Sequence, residues 1–292
     1  MPELAVIRDV APEASIAADV TIGPYCVIGP GVSIGPGTRL RRRVTVTGQT
    51  TIGAENTFDD GCVIGCAPQD LKYRGGPTQL AIGNRNRFDK LVTAHIGTEE
   101  GGGLTRIGSD CVLMHGAHVA HDCFVDDEVH LGRHVQLAGH IRVERGAVIE
   151  AFAGVHHFST IGRHARVRAR TPVRRDVPPY TDFYSTNPDI QPASVHGIHR
   201  KGLWAARLAP LEEWELHRTL LELFADEWAL QTRIEHLVNI GVEGEALKVC
   251  RFCQRSLSGP FGRYREALRG QPPPEVKAYY ASSHTDNIGR SR

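Results

Sequence analysis

Thr21-Ile22-Gly23-Pro24-Tyr25-Cys26-Val27-Ile28-Gly29-Pro30-Gly31-Val32-Ser33-Ile34-Gly35 carries isoleucine at every sixth position, each followed by glycine. The same phase reaches back to Val10 and Ile16 and forward through Leu40, Val46, Ile52, Phe58 and Ile64. It resumes at Ile82 and Phe88, breaks once, and restarts at Ile107. From there Leu113, Val119, Val125, Leu131, Leu137, Val143, Ile149, Val155, Ile161, Val167 and Val173 keep step. A period of six fits neither the α-helix nor a simple strand. It is the signature of a hexapeptide solenoid, a chain wound into a parallel β-helix.

The repeat has a steric logic. Two residues before the large apolar position the side chain is usually small: Ala14, Cys26, Thr38, Cys62, Cys111, Ala117, Cys123, Ala147, Ala153 and Ala165. A large side chain fills the prism interior, a small one fits beside it, and glycine permits the corner. Three hexapeptides make one triangular coil, and coils stack roughly 4.8 Å apart. Some ten coils then give a rod on the order of 50 Å long.

Composition agrees with this class. The chain has 292 residues, 31 glycines, 7 % aromatics and a formal charge of +1, which argues against general nucleic-acid or membrane-surface binding. Met1-Pro2-Glu3-Leu4 opens no basic-then-apolar run, so no signal peptide is expected. No apolar stretch approaches the roughly 20 residues of a membrane span. Four of the seven cysteines fall on the small inward position, where a thiol packs as a small hydrophobe. Cys250 and Cys253 form a lone C-x-x-C, read as helix packing. The expected location is the cytoplasm.

Three parts are expected: a β-helix over 1–180, a connector over 181–203 and a helical domain over 204–292. The rod closes at Asp176-Val177-Pro178-Pro179-Tyr180. Pro210 suits a first helical turn. Beyond it Leu211, Trp214, Leu221 and Phe224 mark one helical stripe, with Leu216, Leu220 and Leu223 beside it. Further helices are expected over about 227–239 and 244–256, capping the rod and covering its edge.

The rod is interrupted at about 66–80 and 97–105, and loops this long on a regular coil are more often functional than decorative. After the second comes a histidine-rich stretch: His115, His118, His121-Asp122, His130, His134, His140 and His156-His157. Three readings compete. One is a catalytic base oriented by a carboxylate such as Asp122. Another is a metal site built from histidines. The third is ordinary polar turn residues. Spacing alone does not choose among them.

Several longer motifs carry a resemblance. They are Asp70-Leu71-Lys72-Tyr73, Gly101-Gly102-Gly103-Leu104-Thr105, Ala117-His118-Val119-Ala120-His121-Asp122-Cys123 and Leu137-Ala138-Gly139-His140. Together the chain resembles the UDP-N-acetylglucosamine 3-O-acyltransferases of lipid A biosynthesis, with Asp176–Tyr180 and Pro274-Glu275-Val276-Lys277-Ala278 extending the likeness. The resemblance implies a left-handed parallel β-helix, an exception to the usual right-handed crossover, assembled as a homotrimer with sites between neighbouring rods. It implies His121 as general base, Asp122 as the group holding its tautomer, and the Gly139 N–H as oxyanion donor. Asp70, Lys72, His118, His140, His156 and His157 would meet the sugar nucleotide, and Arg200 and Lys201 a phosphate. No metal and no cofactor is implied beyond the phosphopantetheine thioester of an acyl carrier protein, which with UDP-N-acetylglucosamine would be the partner.

The departures matter. His157 stands where the family commonly has glutamine and Ser194 where it has asparagine. Arg168-Ala169 replaces a small Gly-Gly pair that leaves room for the acyl chain's end, so a shortened acyl tunnel is expected. Six arginines across 163–175 make a basic patch suited to an acidic carrier protein. The rival expectations are an N-acyltransferase on an amino-sugar nucleotide, a catalytically weak scaffold paralogue, and a metal-dependent hydratase.

Overall fold

The computed structural model describes residues 8–187, 191–225 and 229–285, so Met1–Leu4 and the start of the expected 227–239 helix lie outside it. Twenty-five short strands, from Asp9–Val10 to Pro172–Val173, wind through three parallel sheets of a β-helix. Sheet A holds nine strands, sheet B eight and sheet C ten. Successive coils pair in register three hexapeptides apart, as in Val27↔Thr45 and His118↔Gln136.

The six-residue series is the core. From Ile28 to Val173 its members are buried, as are the small residues Cys26, Thr38, Cys62, Cys111, Ala117 and Cys123 beside them. Each fully buried isoleucine or leucine contributes about 2–3 kcal/mol. Stacking is strict enough that Phe58 and Phe88, paired across coils, lie face to face at 4.4 Å. Val10, Ile16 and Ile22, on the first coils, are less buried because no further coil covers them among the described residues.

The two interruptions appear as register jumps. Val63 pairs with Thr93, and Thr93 with His118, each partner lying further along the chain than one ordinary coil. Gln49↔Gln79 and Gln79↔Leu104 show the same two excesses on sheet B. The first excess is two whole hexapeptides, so it leaves the sequence phase untouched. The second exceeds one hexapeptide by a single position and breaks the phase. Both insertions emerge at one corner, where the chain turns from sheet A to sheet B.

The rod does not stop at residue 180. Thr181–Tyr184, expected as connector, continues sheet C beside Arg166–Val167, and Ser194–Ile198 adds an antiparallel edge strand. The prolines at 178 and 179 shape the turn into this strand without ending the coil. Helices follow at Arg200–Ala205 (α1), Pro210–Leu223 (α2), Leu230–Asn239 (α3), Gly244–Ser258 (α4) and Pro274–Thr285 (α5).

On α2 the buried stripe is Leu216, Thr219, Leu220 and Leu223, whereas Leu211, Trp214 and Leu221 are exposed. The sequence offers leucines all round this helix, and the threonine completes the i, i+3, i+4, i+7 stripe that faces the core. That core joins Leu216, Leu220, Ile234, Leu237, Val249, Cys250 and Cys253 to Tyr180 at the rod's end. Burial pushes the thiols of Cys250 and Cys253 up, to about 11 and about 12, as expected of packed rather than reactive cysteines. Helix α5 leaves this cluster and returns to sheet B, where Val276 is buried with Ala81, Leu104 and Phe124.

The last coil is tied by Asp182, which accepts hydrogen bonds from Arg166 (2.5 Å) and Arg168 (2.6 Å). Although burial works the other way, these two guanidiniums hold its carboxyl down at about 2. A carboxyl depressed on folding contributes stability above its unfolded pKa, near 4, and loses it as pH falls through the folded value. Asp182→Ala is therefore expected to cost about 1–2 kcal/mol at neutral pH, discounted for the half-exposed arginines. Thermal unfolding should show that difference shrinking between pH 4 and pH 2.

Candidate active site

The A–B corner carries both insertions, and directly beyond them lie His121 and Asp122. Asp122 sits at the turn with φ 58°, a left-handed conformation that His140 (64°) and Phe158 (61°) repeat one and two coils on. Non-glycine residues adopt it only where the surroundings over-determine it. Here the Asp122 N–H donates to Thr105 Oγ1 at 2.8 Å, and its side chain is fully buried.

A buried carboxylate must have its acceptors filled. Thr98, opening the second loop, donates its N–H to Asp122 Oδ1 (2.8 Å) and its hydroxyl to Oδ2 (2.6 Å). His121 Nδ1 lies 2.8 Å from the same Oδ2. Gly101 closes the cup: a Cβ there would fall 2.0 Å from Asp122 Cγ, so only glycine lets the loop backbone lie on the carboxylate.

With Nδ1 engaged, His121 presents Nε2 to a groove of about 460 Å³ lined also by Gln69, His118, Gln136, Gly154 and His156. Asp70, on the first loop, brings Oδ2 to 3.9 Å from Nε2. Gly139 lies against the ring, its missing Cβ replaced by His121 Cε1 at 2.4 Å and Nε2 at 2.7 Å from the position it would occupy. The Gly139 N–H has no acceptor among the described residues. Among the described residues an N–H without an acceptor thus stands beside the His121 ring at the groove wall.

Two neighbouring histidines stay uncharged near neutrality. Burial lowers His118 and His140 to about 4, each pushed further by neighbouring histidines, while Asp122 partly opposes the shift on His140. His118 Nδ1 is 2.7 Å from Thr93 Oγ1 on the adjacent coil. His140 stands behind His121, its ring 5.2 Å from that ring and stacked on Phe158 at 4.5 Å. His156 lines the groove; His157, in ring contact with it at 3.8 Å, does not.

Five expected site residues are not brought to the groove within one chain. Lys72 turns to Glu100 at 3.0 Å, away from the groove wall. Arg200 and Lys201 are exposed at the start of α1, which packs on His164 and Tyr180 at the B–C corner. Arg168 is held by Asp182 and lies over the Tyr184 ring at 4.1 Å, and Ala169 is exposed. Neither lines the groove, so the expected tunnel obstruction is not formed by this chain alone. Sequence reasoning also missed Thr98, Gln69 and Gln136. Gln136 was findable, since it stands one coil after His118 on the same outward ladder.

His121, Asp122 and His140 hold three donor atoms within 4.8 Å of one another, close enough to consider a cation. Both carboxylate oxygens, however, already accept hydrogen bonds from Thr98, and Oδ2 a further one from His121. The donor set is built for a histidine–carboxylate pair.

Fold and site together define a hexapeptide-repeat β-helix protein with a buried histidine–carboxylate dyad at a loop-covered corner. A bacterial transferase hexapeptide model (six repeats) matches residues 13–48. A curated relative from Synechocystis sp., an acyl-carrier-protein–UDP-N-acetylglucosamine O-acyltransferase, is 44 % identical over 170 residues, 58 % of this chain. That match spans only 61 % of the relative's own length. Among solved structures, the Moraxella catarrhalis UDP-N-acetylglucosamine O-acyltransferase is 31 % identical with TM-score 0.76, covering 83 % of this chain and 93 % of that one. The Francisella novicida UDP-N-acetylglucosamine acyltransferase is 27 % identical with TM-score 0.78, covering 94 % and 95 %. The chain belongs to the UDP-N-acetylglucosamine acyltransferase family, and its rod is the family's left-handed parallel β-helix.

Gly101→Ala is expected to lift the loop from Asp122 and cost about 1–3 kcal/mol, the penalty of an under-satisfied buried charge. Gly154→Ala, where an added Cβ meets no atom within 4 Å among the described residues, should change stability by less than about 0.5 kcal/mol. Denaturant unfolding of the two variants reads the contrast.

Proposed function

We propose that this chain transfers an acyl group from the thioester of an acyl carrier protein to the 3-hydroxyl of UDP-N-acetylglucosamine, the first step of lipid A biosynthesis. The observation that carries the reading is the His121–Asp122 pair, with Nδ1 fixed at 2.8 Å by a buried carboxylate and Nε2 facing the groove. The relatives' names supply the substrate class.

The geometry supports the following chemistry. His121 Nε2 takes the proton of the sugar 3-hydroxyl as that oxygen attacks the thioester carbonyl carbon. The carbonyl electrons move to oxygen, which accepts the Gly139 N–H. Collapse of the tetrahedral intermediate breaks the C–S bond, and the imidazolium returns its proton to the departing phosphopantetheine sulfur. Asp122 holds the tautomer and stabilises the imidazolium. No metal or other cofactor takes part. Asp70, His118 and His156 border the sugar position, with His140 behind the base.

A single chain supplies one wall of the groove, and its Arg200 and Lys201 lie at another corner. In a homotrimer they reach a neighbour's groove, where Lys72 and His157 also meet the nucleotide. Exposed Arg170, Arg174 and Arg175 at the rod's end suit an acidic carrier protein. Among the described residues no helix is long and apolar enough to cross a membrane. The cytoplasm as the site of the reaction is part of the same proposal, through its carrier-protein donor.

The test is acyl transfer from carrier-protein thioesters of graded chain length to UDP-N-acetylglucosamine and to its 3-amino analogue. Wild type is expected to acylate the 3-hydroxyl, and His121→Ala to lose about 10²–10⁴-fold in rate. Transfer only to the amino sugar would replace the acceptor. An undiminished His121→Ala rate would overturn the mechanism.

A further inference from the structure

Helix α5 lies against the loop that holds Asp122, although nearly all of the helical part separates it in sequence from the dyad. Val276 packs with Ala81, Leu104 and Phe124 on sheet B. A Cβ built on Gly102 would meet Pro272 at 3.0 Å and Val276 at 3.1 Å, so the helix and its lead-in segment sit directly on the loop's crest. Tyr280 Oη accepts a 2.8 Å hydrogen bond from Gln79 Nε2.

Gln79 is the link. Its backbone N–H donates to the Gly103 carbonyl (2.8 Å), and its own carbonyl accepts the Gly97 N–H (3.1 Å). One residue therefore pins both ends of the glycine loop, and Tyr280 holds that residue's side chain. Inside the loop, Thr98 donates twice to Asp122 and Gly101 lies on its carboxylate. Contact is continuous from α5 through Gln79 and the loop to Asp122 and His121.

The geometry points to Val276 and Tyr280 as positioning residues for the base: α5 clamps the glycine loop shut over Asp122 and so keeps His121 aligned. The assignment rests on the acyltransferase reading for its catalytic consequence, and on the loop's packing alone for its structural one. A clamp of this kind acts on the chemical step. It does not touch the groove where a sugar nucleotide would lie, since neither residue lines it.

The experiment compares Val276→Ala, Tyr280→Phe and, as a control, Lys277→Ala on the exposed side of the same helix. Amide hydrogen exchange over 97–105 is measured beside kcat and KM for UDP-N-acetylglucosamine. Val276→Ala is expected to speed exchange in that segment at least tenfold and lower kcat about tenfold, with KM within twofold. Tyr280→Phe, which removes one hydroxyl and keeps the ring, should move both in the same direction by about threefold and serves if Val276→Ala fails to fold. Lys277→Ala should move neither. Unchanged exchange, faster exchange with an undiminished kcat, or a rise in KM alone would each overturn the clamp. If wild type transfers no acyl group to any acceptor, the acyltransferase reading fails by itself, and exchange still decides whether α5 holds the loop.

Discussion

Stacking coil on coil in register removes nearly all freedom from the interior of this molecule. On the inner coils the strand backbones pair with the coil above and below, and each inward side chain must fit the space that its neighbours on those coils leave. Variation is confined to the corners, where an insertion can leave without shifting a strand. Both insertions use the corner between sheets A and B, and the dyad forms at that same corner on the next coil. A rigid rod supplies the precision, and the loops supply the residues a repeat cannot encode.

The carboxylate at that corner is the energetic centre of the site. Burying Asp122 without partners would be costly, and Thr98 and His121 remove that cost only while the loop stays seated. The arrangement is over-determined by Thr105 at the backbone and Gly101 above the carboxylate. Meanwhile burial keeps His118 and His140 neutral at ordinary pH. Within this crowded set His121, hydrogen-bonded to the buried Asp122, is the histidine proposed as the base, and its environment rather than its own type makes the distinction.

Much of this was legible in the sequence because a solenoid writes its interior as a period. Ile22, Ile28 and Ile34 announce the fold, and the break before Ile107 marks the second loop. The first loop's length was partly hidden, since an insertion of two whole hexapeptides preserves the phase. The motifs around His118–Asp122 and Gly139–His140 located the dyad. Thr98 escapes a sequence reading because its role depends on a loop folding back over a residue 24 positions on. The buried side of α2 is ambiguous in sequence because a leucine-rich helix has more than one plausible stripe, and Thr219 decides between them. Arg168 stands where the acyl chain's end is expected, yet Asp182, in a strand where a connector is expected, draws it to sheet C.

The most direct test of the central claim is the tautomer of His121 in protein labelled with ¹⁵N-histidine, read by NMR near neutral pH and assigned by His121→Gln. A buried Asp122 bonded to Nδ1 predicts a proton on Nδ1 and a bare, basic Nε2 facing the groove. A proton found on Nε2, with Nδ1 bare, would mean that the carboxylate does not hold the ring, and the account of the site would fail.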